Sequence, residues 1–282
     1  MNNKPFACIE HEYSELQNSA IILQSIPYDG TSTWGKGADK GFSAFLEAAE
    51  NMELYDIEMD SEVYKHGIHI YDELRNFDSP EDMFEKSYAR AKELLELNKF
   101  LTFFGGEHSI SIGLIKAYYE KYKNLTVLQL DAHADLRPSY QGTSFNHACA
   151  LHDARKNCNL IQVGIRSMDI SEKKEMDFFK VYFADEIKYN EAWFDESLSQ
   201  MTDDVYITLD LDVLDPSIMP ATGTPEPGGL SWFLLVNYLR KVFEQKNVVG
   251  FDIVELAPIN GLHAPQYLVA KLYYKMLSYK FS

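Results

Sequence analysis

Short runs of apolar, β-branched and aromatic residues recur along most of the chain, with segments of helical periodicity between them. The runs of strand length cover residues 20–23, 100–104, 125–130, 160–165, 181–183, 205–209 and 248–251. Strands that are apolar at nearly every position are typical of a parallel sheet with helices on both faces. The pattern therefore predicts an α/β fold in which a mostly parallel central sheet lies between two layers of helices.

The helical segments carry boundary signals of their own. Ser79-Pro80-Glu81-Asp82 combines a capping serine, a proline suited to the first helical position and acids in the first turn. Further helices are predicted after Ser109, at 231–245 and at 265–279. The alternation contains no flexible linker or internal repeat, so residues 1–282 are interpreted as a single domain. The Pro/Gly-rich stretch 216–229 is interpreted as a stiff loop at a functional edge of the sheet.

Composition limits the partners of such a domain. Its 43 acids against 26 Lys and Arg residues give a formal net charge of −17, which disfavours nucleic acid and suits cations. The longest apolar runs have only strand length, so no membrane span is predicted. Cys8, Cys149 and Cys158 lack metal-type spacing and no secretion signal is visible. These features predict a cytoplasmic protein with reduced, buried thiols.

Acids and histidines cluster at the carboxyl ends of four predicted strands. The clusters are Gly105-Gly106-Glu107-His108, Asp131-Ala132-His133-Ala134-Asp135, Asp210-Leu211-Asp212 and Asp252-Ile253-Val254-Glu255. Open parallel sheets bind ligands at this edge. Neighbouring carboxylates cannot all remain ionised without cations among them. The clusters therefore predict a metal site.

Two histidines and four aspartates offer six candidate ligands, which are His108, Asp131, His133, Asp135, Asp210 and Asp212. If two aspartates bridge, each of two ions receives four protein ligands, and a shared solvent molecule can complete the coordination. Oxygen and nitrogen ligands without sulfur suit manganese, magnesium or zinc, and the excess of carboxylates favours manganese. Two such ions about 3.5–4 Å apart bring the pKa of bound water from about 15.7 to near 7. The predicted chemistry is hydrolysis.

These motifs resemble those of the ureohydrolases, the family of arginases and agmatinases. The resemblance includes the four clusters, the continuation to Asp215-Pro216 and the run 222–230, in matching order and spacing over nearly the whole chain. It implies an arginase-like three-layer α/β/α sandwich and two Mn²⁺ per chain. The implied ligands are His108, Asp131, Asp135 and Asp210 for one ion, and His133, Asp131, Asp210 and Asp212 for the other, with Asp131 and Asp210 bridging.

The resemblance also implies a reaction. A hydroxide bridging the metals would attack a guanidinium carbon while Asp135 accepts a hydrogen bond from it, and urea and an amine would leave. Glu255 would bind the guanidinium, a planar cation that pairs well with a carboxylate. His147, within Phe145-Asn146-His147-Ala148, matches the family's catalytic histidine and would move a proton to the leaving amine or help to deliver water. The histidines predicted to be structural are His11, His66, His69, His152 and His263.

Three positions depart from the family pattern. Glu107 stands where an aspartate is common, Phe42 where a proline is frequent and Ala134 where a threonine is frequent. Each change leaves the six candidate ligands intact.

Within the family, the sequence looks most like an agmatinase. The asparagine that arginases carry two positions past the last metal aspartate is absent from the run 136–145. The runs 146–149 and 223–229 also look like those of agmatinases. The resemblance thus implies conversion of agmatine, a small dication, to putrescine and urea. Arg137 leaves open a substrate with a carboxylate, such as arginine or guanidinobutyrate.

Other classes share single features with the sequence. A dinuclear phosphoesterase also uses Asp-x-His and Asn-His pairs, but the later Gly-His-x-His-type run is missing here. A histone-deacetylase-like amidohydrolase with one zinc would not require both His108 and Asp135. The alternatives that stay open are another ureohydrolase specificity, formimidoylglutamase included, and a non-catalytic metal-binding homologue. Family members are commonly trimers or hexamers, so the resemblance also implies a homo-oligomer.

Overall fold

The central element is one sheet of parallel strands, seen in a computed structural model that describes residues 4–188 and 190–282. Its strands are β1 (Ile21–Ile26), β2 (Ile68–Ile70), β3 (Phe100–Gly105), β4 (Thr126–Leu130), β5 (Asn159–Ile165), β6 (Val181–Phe183), β7 (Asp204–Asp210) and β8 (Asn247–Val254). The strand order is β2-β1-β3-β8-β7-β4-β5-β6, and every pairing is parallel. The seven predicted strands are all present. The prediction missed β2, a three-residue edge strand interrupted by His69.

Helices cover both faces of the sheet. In the described part of the chain they are α1 (Gly41–Ala49), α2 (Pro80–Leu95), α3 (Ile110–Lys121), α4 (His152–Asn157), α5 (Ala184–Ile187), α6 (Ala192–Gln200), α7 (Trp232–Gln245) and α8 (Ala264–Phe281). Helices α1, α6, α7 and α8 share one apolar core with Ile21 and Leu23 of β1. Helices α2, α3 and α4 share a second core with Ile22, whose side chain points to the opposite face. The predicted three-layer α/β/α sandwich is confirmed.

The predicted helix boundaries hold to within a few residues. Pro80 is the first residue of α2, and the Ser79 hydroxyl accepts a hydrogen bond from the Asp82 N–H at 3.2 Å. Ser231 caps α7 in the same way by accepting a hydrogen bond from the Leu234 N–H at 3.3 Å. Such caps satisfy N–H groups that have no partner within the helix.

The cysteines follow the prediction only in part. All three are free thiols, and Cys149 is buried. Cys158 is partly exposed and Cys8 is exposed, so the prediction that these thiols are buried is wrong for Cys8. Cys8 ends a 3₁₀ turn near the start of the chain, outside the sheet and its covering helices. No helix within the two described segments is long and apolar enough to cross a membrane.

The topology brings the four acid-bearing strand ends together. Strands β7 and β8 come late in the chain but lie between β3 and β4, giving the contiguous order β3-β8-β7-β4. Because these strands are parallel, their carboxyl ends lie at one edge, and neighbouring strands are about 4.8 Å apart. Side chains from all four strand ends can therefore meet at a single site.

Candidate metal centre

Three carboxylates surround one nitrogen of His108. The Nδ1 atom of this buried imidazole lies 3.1 Å from Asp131 Oδ2, 3.1 Å from Asp135 Oδ2 and 3.4 Å from Asp210 Oδ2. Among the described residues, Nδ1 nevertheless has no hydrogen-bond partner. A buried polar atom normally has such a partner. A cation between this nitrogen and the carboxylate oxygens would satisfy all four groups, so the residues fit a bound metal ion.

A second group of ligands adjoins the first through Asp131. The Nδ1 atom of His133 lies 2.9 Å from Asp212 Oδ2 and 3.7 Å from Asp131 Oδ1. Two candidate metal-binding groups result, one of His108, Asp131 and Asp135 and one of Asp131, His133 and Asp212. Asp131 belongs to both groups and turns one oxygen toward each histidine, as a bridging ligand does. Asp210 lies beside the second group, with its Oδ1 accepting a hydrogen bond from the Asp212 N–H at 2.9 Å.

The ionisation of these acids also favours bound cations. Burial raises the pKa of Asp135 to about 7 and the pKa of Asp210 well above its ordinary value. Burial also acts on Asp131, but the positive charges that His108 and His133 carry when protonated hold its pKa below the ordinary value. In the absence of metal, the buried acids therefore cannot all be ionised, because only protons and the two imidazoles can balance their negative charges. Divalent cations would remove this competition and keep every carboxylate ionised.

A buried hydrogen-bond chain orients His108. The hydroxyl of Thr208 donates to Asp252 Oδ1 at 2.7 Å and lies 2.9 Å from His108 Nε2. Because the single proton of Thr208 goes to Asp252, the hydroxyl oxygen accepts the Nε2–H of His108. In the neutral form of His108, the lone pair is therefore on Nδ1, the nitrogen that faces the carboxylates. Tyr206 and Ser111 also donate to Asp252, at 2.7 and 3.1 Å.

Two buried glutamines hold Asp131 in place. The side-chain amide of Gln129 donates to Asp131 Oδ2 at 2.7 Å and to the His133 carbonyl at 3.0 Å. Gln162 in turn donates to Gln129 Oε1 at 2.6 Å. Sequence reasoning missed both glutamines and Thr208. A usable signal was present, since each is a polar residue inside an otherwise apolar strand.

Glu255 and Asp135 both have left-handed backbone conformations. Their φ angles are 69° and 52°, a region that residues with a side chain rarely occupy. Glu255 is held there by its N–H, which donates to the Gly106 carbonyl at 2.8 Å. Its Oε1 accepts a hydrogen bond from the His108 N–H at 2.9 Å. Strained backbone of this kind is found at functional sites, where the surrounding structure maintains it.

The site opens into a cavity of about 280 Å³. The candidate site residues that line it are His108, His133, Asp135, His147, Asp210, Asp212 and Glu255. Asp131 is buried among them. The long loop before α7 contributes Thr224, which places that loop at the predicted functional edge. The structure thus brings together every residue that was predicted for the site.

The five histidines predicted to be structural lie outside the residues that line this cavity. His69 Nδ1 contacts the Ser14 carbonyl at 2.8 Å, and His152 Nδ1 contacts the Leu136 carbonyl at 2.9 Å. His11 pairs with Glu15 on the surface. The remaining two are His66, which packs against Phe281, and His263, which precedes α8.

The chain matches one family of known proteins over most of its length. Residues 19–278 match the model of the Arginase family. An N(1)-aminopropylagmatine ureohydrolase of Synechocystis sp. is 33% identical over 280 residues, with 93% of this chain and 89% of that protein covered. An agmatinase of Pyrococcus horikoshii is 31% identical over 249 residues, with 86% of each chain covered. The crystal structure of agmatine ureohydrolase of Thermoplasma volcanium superposes with a TM-score of 0.87 at 27% identity, with 99% of this chain and 95% of that chain covered.

A parallel α/β/α sandwich with histidines and aspartates around a cavity at the carboxyl edge of its sheet defines the class of metal-dependent hydrolases with the arginase fold. The chain belongs to the arginase family. It is accordingly a ureohydrolase, an enzyme that hydrolyses amidino C–N bonds of guanidino compounds. The resemblance found in the sequence is therefore confirmed at the level of family, fold and class of enzyme.

Proposed function

We propose that this enzyme hydrolyses the guanidinium group of agmatine to urea and putrescine, and that it binds two Mn²⁺ per chain. The arrangement around His108 is the observation that carries the proposal. A buried nitrogen without a hydrogen bond among the described residues lies within 3.4 Å of three carboxylate oxygens. A metal ion bound among these atoms would satisfy the nitrogen and the three carboxylates together.

The proposed ligands divide between two ions. His108, Asp131, Asp135 and Asp210 would hold one ion, and His133, Asp131, Asp210 and Asp212 the other. The shared position of Asp131 supports this division, and the excess of carboxylates over histidines favours manganese. When bound, the ions supply water that is activated to hydroxide near neutral pH.

Glu255 would bind the guanidinium of the substrate. Its Oε1 is already bonded to the His108 N–H, and its carboxylate lines the cavity. The charge of the carboxylate complements a planar cation. Asp135 lines the same cavity and would accept a hydrogen bond from the attacking water.

His147 would transfer a proton to the leaving amine. The residue lines the cavity, and burial lowers the pKa of its imidazole to about 4. At neutral pH the ring is therefore uncharged, and it can accept a proton before passing it on.

The surroundings of Arg137 support a cationic substrate rather than a carboxylate. The Nε atom of Arg137 lies 3.6 Å from Oε2 of the buried Glu172. The guanidinium of Arg137 also lies 4.4 Å from the centre of the Tyr140 ring. The positive charge of Arg137 is thus already paired with groups of the protein. Agmatine is therefore favoured over arginine and guanidinobutyrate, whose carboxylates would require a free cation.

N(1)-aminopropylagmatine is a second candidate substrate. It is favoured by the similarity of the chain to the Synechocystis protein, which is named an N(1)-aminopropylagmatine ureohydrolase. Both candidates carry a guanidinium at one end and an amine at the other, so the chemistry at the metal centre is the same. A trimer or hexamer in solution and a cytoplasmic location stay predictions, which mass measurement and localisation of the tagged chain would test.

Hydrolysis of four guanidines and one formimidoyl compound tests the proposal. The Mn²⁺-loaded protein would be assayed with agmatine, N(1)-aminopropylagmatine, arginine, 4-guanidinobutyrate and formimidoylglutamate, the last by formamide release. We expect one of the two amine-bearing guanidines to exceed the carboxylate-bearing compounds in kcat/KM by about 10-fold or more, about 1.4 kcal/mol. A higher kcat/KM for a carboxylate-bearing compound would contradict the proposed specificity for amine-bearing guanidines. Absence of turnover in protein that retains its metals would indicate a non-catalytic homologue.

A further inference from the structure

His147 lies at the end of a chain of hydrogen-bonded side chains that begins at the buried Glu107. The hydroxyl of Thr31 lies 2.8 Å from Glu107 Oε1 and 3.1 Å from His147 Nδ1. The same hydroxyl oxygen accepts a hydrogen bond from the backbone N–H of His147 at 3.1 Å. Thr31 thus connects Glu107, an acid without a role in the proposed reaction, to the histidine that would move the proton.

Glu107 acts as an acceptor toward its neighbours. Its Oε1 accepts a hydrogen bond from the Thr31 N–H at 3.2 Å, and its Oε2 accepts one from the Ser109 N–H at 2.8 Å. The Ser109 hydroxyl also donates to Oε1 at 2.8 Å. Both carboxylate oxygens accept hydrogen bonds from backbone N–H groups. The carboxylate therefore also accepts the hydrogen bond from the Thr31 hydroxyl and does not donate one.

The hydroxyl of Thr31 then determines which nitrogen of His147 carries the proton. A threonine hydroxyl has one proton to donate and two lone pairs with which to accept. Its proton goes to Glu107, and one lone pair accepts the backbone N–H of His147. The remaining lone pair faces Nδ1 of His147, so Nδ1 must carry a hydrogen.

We propose that Thr31, oriented by Glu107, is a positioning residue that fixes His147 in the Nδ1–H tautomer. The proposal rests on the proposed role of His147 in urea formation. It adds the hydrogen bonds that set the tautomer of His147 for that role. Nε2 is then the nitrogen with a free lone pair, and it is the nitrogen that accepts a proton. The ring of Tyr140 stands edge-on to the imidazole at 6.3 Å between centroids, which gives His147 a second neighbour besides Thr31.

Replacement of Thr31 by valine is the first test, in the full-length Mn²⁺-loaded protein. The variant T31V removes the hydroxyl and keeps the shape of the side chain. We expect kcat for agmatine to fall by about 10- to 100-fold, with KM changed by less than about threefold and metal content unchanged. T31S retains the hydroxyl and should keep kcat within about threefold of the wild type.

The matched control is T102V. Thr102 is a buried threonine of β3 whose hydroxyl donates to the Ile22 carbonyl at 2.9 Å, away from the cavity-lining residues. T102V should keep the wild-type kcat, which shows that loss of a buried threonine hydroxyl is not enough by itself. Equal activity of T31V and the wild type would overturn the role of Thr31 and leave the proposed function intact.

The tautomer itself gives a second readout that does not depend on activity. Nitrogen-15 NMR of histidine-labelled protein, loaded with diamagnetic Zn²⁺ and assigned with H147N, distinguishes a protonated Nδ1 from a protonated Nε2. We expect His147 in the wild type to carry its proton on Nδ1 and to lose this preference in T31V. A wild-type spectrum with the proton on Nε2 would overturn the inference. If the wild type released no urea, the proposed function would fail while this spectrum still decided the tautomer.

Discussion

The Oδ2 atom of Asp131 lies 3.1 Å from Nδ1 of His108, yet the two atoms are not hydrogen-bonded. Each has its orientation fixed from the opposite side. Asp131 Oδ2 accepts a hydrogen bond from Gln129, and the Nε2–H of His108 is donated to Thr208. The lone pairs of both side chains are thus directed at the same space, as expected of two ligands of one cation.

Replacement of Asp131, the aspartate proposed to bridge two metal ions, should remove both ions. Asp131 belongs to both ligand groups, whereas Asp212 belongs to one. We expect D131A to lose both ions and all activity, and D212A to retain more bound metal than D131A. H133A and D210A should lose activity together with metal. Elemental analysis of the purified variants measures the metal per chain, and two ions retained in D131A would contradict the proposed bridge.

Loss of the charge on Glu255 should weaken substrate binding without releasing metal. In E255Q the amide oxygen can still accept the His108 N–H, so the local backbone is preserved. Replacing a charge-assisted contact with a neutral one costs about 1.5–3 kcal/mol, so kcat/KM for agmatine should fall by about 10- to 150-fold. E255A should show the larger loss. Metal content is the control, and loss of metal from E255Q would show that Glu255 has a different role.

Substitution of Arg137 tests the specificity argument. The guanidinium of Arg137 contacts Glu172 and Tyr140 and lies in the lining of the cavity, where its positive charge would repel the proposed cationic substrate. We expect R137M to lower KM for agmatine by about two- to fivefold, the effect of removing a screened like charge. E172Q, which removes the ionic partner of Arg137, should raise that KM. A tenfold rise in KM for R137M would mean that Arg137 contributes to substrate binding.

The buried imidazole of His147 should make stability depend on pH. Burial, with a smaller contribution from His133 and His108, lowers the pKa of His147 to about 4, against about 6.5 for an unfolded histidine. Between these pH values the unfolded chain binds more protons, so His147 destabilises the fold progressively as pH falls from 6.5 to 4. Its neighbours Thr31, Tyr140 and Arg137 are not substituted in H147N.

The measurement is the free energy of unfolding in denaturant, with metal-free wild type and H147N compared across that range. The two proteins share every other titrating group, so their difference isolates His147. We expect the free energy of unfolding of H147N to fall less between pH 6.5 and 4 than that of the wild type. Parallel pH dependences would show that the imidazole is not held neutral in the fold.

The sheet and its acidic edge were predictable because they depend on local patterns. Apolar runs identified the strands that carry the site, and the acids lie at or within a few residues of the ends of β3, β4, β7 and β8. The sequence does not show that these four strands are neighbours in the sheet, because this depends on the insertion of β7 and β8 between β3 and β4. β2 was missed because it has only three residues and no continuous apolar pattern. Its extended conformation depends on pairing with β1.

The contacts that orient the ligands were less accessible, since they join distant parts of the chain. Thr31 contacts Glu107, 76 positions away, and His147, 116 positions away. Neither spacing corresponds to a helix or hairpin period, so no local pattern predicts the pairs. Thr208 and Gln129 could have been suspected as polar residues in apolar strands. Their partners at His108 and Asp131 emerge only when the sheet is assembled.

The most direct test of the central claim is urea production from agmatine by the full-length protein, before and after removal of metal. We predict equal amounts of urea and putrescine from protein reconstituted with Mn²⁺, loss of the activity after chelation, and recovery when Mn²⁺ is restored. N(1)-aminopropylagmatine, assayed in parallel, identifies the preferred amine-bearing substrate. If reconstituted protein with two ions per chain released no urea from any guanidine, the claim that this site is a catalytic ureohydrolase centre would be contradicted.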